Sequence, residues 1–147
     1  MQKGINRMFE TADLFSLKGR TAVITGGLTG LGMGITRCMV GAGARVVVLS
    51  RENPDKAAQI LSEFEGQAVF YQYDITNTEK AQEMADKIIA EQGPITILVN
   101  NAGNHCKKPI EEMSVEEYQS VLNVHLVGAF ALTKALIPHM KDQKKGS

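Results

Sequence analysis

The stretch Thr25-Gly26-Gly27-Leu28-Thr29-Gly30-Leu31-Gly32 sets four glycines within eight residues, directly after the β-branched run Thr21-Ala22-Val23-Ile24-Thr25. Few folds tolerate that density of glycine between a strand and a helix. Without a Cβ the backbone turns sharply and approaches a bound group closely, and the free N–H groups at a helix start attract negative charge. A tight turn that merely packs helix on strand is the plainer use of the same residues. A Walker-type phosphate loop is excluded, because Met33 stands where its lysine would follow the second glycine. The glycines follow the first strand and a second strand lies downstream, which is the arrangement of a dinucleotide site.

Further apolar runs follow: Arg45–Ser50, Ala68–Tyr73 and Ile95–Val99. Each is short, nearly continuous in apolar character and separated from the next by a helical period, as expected of a parallel sheet covered on both faces. The predicted architecture is α/β, a Rossmann-type doubly wound parallel sheet of which the first four strands and their helices are present. Residues 1–18 read as a leader packing through Leu14, Phe15 and Leu17, and residues 19–147 as a dinucleotide-binding domain incomplete at its C-terminus.

The helices have legible ends. Asn53 caps a helix with Pro54 at its first position, and Ala57, Ile60, Leu61 and Phe64 form its apolar stripe. Ala81, Met84, Ala85, Ile88 and Ile89 repeat the stripe before Gly93-Pro94. Ser114 and Glu117 form a capping box that opens the longest helix, expected to run to about Lys141 and to bend near Pro138. Its apolar residues cover more than one face, so burial on two sides is expected. The fourth strand is expected to be left as an open edge.

Sixteen Lys+Arg balance 16 Asp+Glu, which leaves no surplus positive charge for a nucleic-acid arm or a polybasic membrane patch. With 5% aromatics and no Trp, a base-stacking surface has nothing to be built from. No apolar run of membrane-spanning length and no signal-peptide core stand out in the sequence. Two cysteines are too few for a disulfide scaffold, and the expected compartment is cytoplasmic. Cys38 reads as a packed thiol. His105-Cys106 lacks metal-ligand spacing, so no metal is expected. Lys107-Lys108 reads as a solvated face or as a contact for an acidic substrate.

The tip of the second strand normally reads the adenosine ribose: an acid there bonds the 2′-hydroxyl of NAD, and an arginine accepts the 2′-phosphate of NADP. Here Ser50 takes the place of the acid and Arg51 follows, able to fork onto a phosphate. This favours NADP over NAD. A small backbone shift would instead let Glu52 face a ribose.

Taken together these motifs resemble the N-terminal part of the short-chain dehydrogenase/reductase family. Thr25, Gly26, Gly30 and Gly32 match its TGxxxGxG, and Asn100-Asn101-Ala102-Gly103 match its NNAG. The resemblance implies cofactor contacts from Gly26, Leu28, Thr29, Gly30, Leu31 and Gly32, from Ser50 and Arg51, from Asp74 and Ile75 beside the adenine, and from Asn101, Ala102, Gly103 and Val124. Asp74 has a turn-capping role as its alternative, since Thr76 and Asn77 follow. Asn123 matches the family's helix asparagine, which bends its helix and holds a water of a proton relay; a backbone-bonded interior Asn is the alternative. The family's catalytic Ser and Tyr-x-x-x-Lys have no counterpart: four residues after Tyr71, Tyr73 and Tyr118 stand Ile75, Asn77 and Leu122.

The resemblance therefore implies an oxidoreductase moving hydride between a nicotinamide and an alcohol or ketone. The small-molecule substrate would be a sugar acid, as in gluconate 5-dehydrogenases, or an acyl thioester, as in 3-oxoacyl-carrier-protein reductases. These 147 residues alone are expected to be inactive. A non-catalytic nucleotide-binding or interaction module is the alternative. Family members usually form homodimers or homotetramers.

Overall fold

The computed structural model describes residues 14–147, so most of the proposed leader lies outside the described residues. Four parallel strands, β1 (Thr21–Thr25), β2 (Arg45–Ser50), β3 (Ala68–Gln72) and β4 (Ile97–Val99), form one sheet in the order β3-β2-β1-β4. Between them run α1 (Gly30–Gly41), α2 (Pro54–Leu61) and α3 (Ala81–Gln92). After β4 come α4 (Val115–Leu122), a π-helical segment (Asn123–Gly128) and α5 (Ala129–Asp142).

The strands alternate sides, as a pleat requires. Val23, Val47 and Leu49 join Tyr71, Ile88, Ile95, Leu132 and Leu136 in one buried cluster. Ile24, Val46 and Val48 join Met33, Ala57, Leu61 and Phe64 in the other. Helices thus cover both faces of the sheet, as the continuous apolar strands predict. The Asn53 side chain caps α2 by accepting from the Asp55 and Lys56 N–H groups, and the Ser114–Glu117 capping box is complete at α4.

Several expectations need correction. Leu14 and Phe15 are 68% and 72% exposed, and only Leu17 packs on the core. Cys38 is exposed, because α1 turns Met33 and Thr36 inward and places Arg37 and Cys38 on its outer side. β3 ends at Gln72 and β4 begins at Ile97, each shorter than its apolar run. The last helical stretch passes through Pro138 to Asp142, and a departure from α geometry that the sequence pattern does not show lies at Asn123–Gly128.

That stretch, Val115–Asp142, is long and apolar enough by length and composition to cross a membrane, which the sequence alone did not make evident. One side, with Leu132, Ala135 and Leu136, is built into the core. The other leaves Leu126 and Phe130 61% and 67% exposed, so the expected second covering is not provided by the described residues. The outer edge of β4 is also not bare. The Ser147 N–H donates to the Thr96 carbonyl (3.1 Å) and the Leu98 N–H donates to the Ser147 carbonyl (2.9 Å).

Candidate functional site

At the carboxyl ends of the strands lies a cleft of about 740 Å³, where the turn after β1, the tip of β2, the loop after β3 and the residues after β4 converge. Parallel sheets flanked by helices open such crevices where neighbouring connections leave in opposite directions. Here β1 lies between β2 and β4, which makes its carboxyl end that point.

The glycine turn is shaped by its missing side chains. Gly26 and Gly30 adopt positive φ (69° and 52°), which L side chains rarely adopt. A Cβ on Gly32 would stand 2.1 Å from the Gly26 carbonyl oxygen and 2.6 Å from Asn101 Nδ2, so the start of α1 lies directly on the turn. Thr29 caps α1 with no side-chain hydrogen bond, and no acid stands in the first turn. The helix therefore keeps unpaired N–H donors and the positive end of its dipole for an external anion.

The turn is tied to the residues after β4. Thr25 Oγ1 accepts from the N–H groups of Asn101 (3.0 Å) and Ala102 (2.9 Å), and Asn101 Nδ2 donates to the carbonyls of Thr25 (2.9 Å) and Gly26 (3.2 Å). Beyond them, His125 Nε2 lies 2.8 Å from the Asn104 carbonyl oxygen, and a Cβ on Gly103 would meet His125 Cε1 at 2.6 Å. The Asn104 Oδ1 atom is buried without a hydrogen-bond partner.

At the other end of the cleft, Asp74 Oδ1 accepts from the Thr76 N–H (2.9 Å) and hydroxyl (2.7 Å). Its second oxygen lies 3.9 Å from an Arg51 guanidinium nitrogen. Burial pushes this carboxyl up, but the Thr76 hydrogen bonds and the Arg51 charge outweigh it, and Asp74 titrates below the ordinary carboxylate range. Burial and the neighbouring Asp74 charge push the Tyr73 phenol up. Asp74 thus caps the turn through Thr76 and stands in the wall of the cleft.

Of the residues singled out from sequence, Gly26, Leu28, Thr29, Leu31, Gly32, Ser50, Arg51, Asp74, Ile75, Asn101, Ala102, Gly103 and Val124 all line this cleft. Gly30 and Asn123 do not: Gly30 serves the turn through its positive φ, and Asn123 opens the π segment one residue before the lining Val124. The cleft also takes in Thr25, Leu49, Glu52, Tyr73 and Asn104. Thr25 is the first residue of the glycine motif and Glu52 the acid at the strand tip, whereas Leu49, Tyr73 and Asn104 are chain neighbours of motif residues with no signature of their own. Lys108 pairs with Glu117 (2.6 Å), and neither His105 nor Cys106 reaches the cleft.

Residues 20–147 match the family model described as short chain dehydrogenase. A 2-dehydro-3-deoxy-D-gluconate 5-dehydrogenase of Formosa agariphila is 36% identical over 139 residues, covering 92% of this chain and 53% of that protein. A 3-oxoacyl-[acyl-carrier-protein] reductase of Thermotoga maritima is 32% identical over 133 residues, covering 89% and 54%. A solved gluconate 5-dehydrogenase from Burkholderia cenocepacia, in complex with NADP and tartrate, superposes with a TM-score of 0.86 at 31% identity, covering 93% of this chain and 55% of that one. The chain spans about half the length of the curated relatives it matches.

Proposed function

The chain belongs to the short chain dehydrogenase family, and from that premise we propose that it forms the NADP-binding part of an oxidoreductase acting on an alcohol/ketone pair. The observation that carries the reading is the convergence of the glycine turn, the Arg51 tip and the Asn101–Gly103 segment on one cleft. The residues present fit a dinucleotide. The uncapped start of α1 offers donors to a diphosphate, and positive φ at Gly26 and Gly30 opens the turn towards it.

In this reading the amides from Gly26 to Gly32 bind the diphosphate, with Leu28 and Leu31 walling the turn. Ser50 and Arg51 hold the 2′-phosphate, and Asp74 with Ile75 holds the adenine. Asn101, Ala102, Gly103 and Val124 border the space for the nicotinamide ribose and ring. NADP, when bound, supplies the carbon that gives or takes hydride. The part of this chain is to position that carbon and exclude water; positioning of this kind is where much of the rate of a two-reactant step arises. Asn123 is proposed to hold a water of the proton relay.

No tyrosine in the 147 residues has a lysine four positions later, so the acid–base pair of the family is not supplied by them. We therefore expect cofactor binding without turnover from these residues alone. Two of the relatives named above are gluconate-type 5-dehydrogenases and one is a 3-oxoacyl-[acyl-carrier-protein] reductase, and a sugar acid is the substrate class we propose. Calorimetric titration with NADP and NAD, in wild type and Arg51→Ala, tests the cofactor assignment. A selective loss for NADP of about tenfold or more is expected from one charge-assisted phosphate contact. Equal affinity for both cofactors in the wild type would refute the assignment.

A further inference from the structure

Glu52 is the one carboxylate at the tip of β2, and its presence beside a proposed 2′-phosphate is a contradiction that the sequence leaves standing. The structure resolves it. The Glu52 backbone is pinned: its N–H donates to Ser50 Oγ (3.0 Å) and its carbonyl accepts from Gln72 Nε2 (3.1 Å). The side chain is turned to the start of α2, where one oxygen accepts from the Asn53 N–H (3.0 Å) and the other from Lys56 Nζ (2.8 Å). Both oxygens are engaged, and the Lys56 hydrogen bond, followed by that from Asn53, holds this carboxyl below its ordinary range. It is therefore a charged group, directed to the start of the helix that follows it.

Lys56 is oddly placed for any other purpose. It stands in the first turn of α2, where a cation opposes the helix dipole, and Glu52 is its ion-pair partner. The Arg51 side chain, by contrast, is 73% exposed and among the described residues its guanidinium holds only the long contact to Asp74, which leaves it available to a ligand.

We propose that Lys56 is a specificity-determining residue that acts through Glu52: it sequesters and neutralises that carboxylate, so the β2 tip accepts a 2′-phosphate and does not offer an acid to a 2′-hydroxyl. The inference rests on the dinucleotide reading of the cleft. With Lys56 removed, Glu52 is free to turn back to the ribose, repelling the phosphate and accepting from the hydroxyl.

The test is calorimetric titration of the full chain with NADP and with NAD at fixed ionic strength. The proteins are wild type, Lys56→Met, Lys56→Arg, Glu52→Gln and the double variant. Interactions of single charges near a protein surface set the scale. The preference for NADP over NAD is expected to fall about fivefold in Lys56→Met and to persist in Lys56→Arg. In the Glu52→Gln background the same Lys56 substitution is expected to leave the preference unchanged. Thermal unfolding of Lys56→Met should match or exceed wild type, since a cation leaves the positive end of α2. An unmoved preference in Lys56→Met, or an equal shift with and without Glu52, overturns the inference alone. A wild type that binds neither dinucleotide overturns the reading of the cleft and the inference with it.

Discussion

Replacing Gly32 by alanine tests how closely α1 is seated on the glycine turn. The added methyl would lie 2.1 Å from the Gly26 carbonyl oxygen, and reaching even 3.0 Å requires about 0.9 Å of movement between two backbone segments. Neither segment is free to give. The Gly26 carbonyl also accepts from Asn101 Nδ2, and the Gly26 N–H donates to the Leu49 carbonyl (2.7 Å). Overpacking of this kind costs about 1–3 kcal/mol, and the upper end is expected because the obstacle is main chain. Gly34, two residues along the same helix, is the control: a Cβ there meets nothing within 4 Å. Gly34→Ala should stabilise by about 0.5–1 kcal/mol through helix propensity and leave NADP binding unchanged. Urea unfolding gives the stabilities, and calorimetry gives an expected loss of at least about tenfold in NADP affinity for Gly32→Ala. A Gly32→Ala protein with wild-type stability and affinity would refute the seating of α1.

Thr25→Val removes the acceptor of two backbone N–H groups, so a loss of about 2–4 kcal/mol is expected in guanidinium unfolding, while Thr25→Ser should stay within about 1 kcal/mol. Leu136 is fully buried, and Leu136→Ala should cost about 2–5 kcal/mol in the same assay. The folded-state pKa of Asp74 is depressed, so its contribution is present above the unfolded carboxylate pKa and lost as pH falls through the folded value. The stability gap between wild type and Asp74→Asn should therefore be open at neutral pH and close in acid. Because the side chain is 41% exposed, the gap should not exceed about 1 kcal/mol.

Features encoded by neighbours in sequence were legible without coordinates. The Asn53 and Ser114 caps depend on contacts a few residues apart, the strand cores and the glycine turn announce themselves by local composition, and the structure forms each of them. What the sequence concealed depends on distant chain segments. The helical period does not reveal where a π turn interrupts it, so the departure at Asn123 was carried only by family resemblance. Apolar content along that helix implied two buried sides, yet only contacts across the fold show that Leu126 and Phe130 lack a cover among the described residues. Cys38 and Phe15 face outward although the sequence reads them as packed, because apolar character does not fix which side of an element faces in. Within the cleft, the glycines and Asn101 stood out, whereas the Thr25 hydroxyl that joins them lies 76 residues from its partner Asn101. The direction of the Glu52 side chain was equally hidden, being set by Lys56 one helical turn away.

The most direct measurement is the backbone amide NMR spectrum of the isotopically labelled chain during titration with NADP. Chemical-shift changes that are largest from Gly26 to Gly32, with smaller ones at Arg51, Asp74 and Ala102, are the predicted result. Shifts confined to residues away from the carboxyl ends of the strands, or an unmoved Gly26–Gly32 segment at saturating NADP, would contradict it.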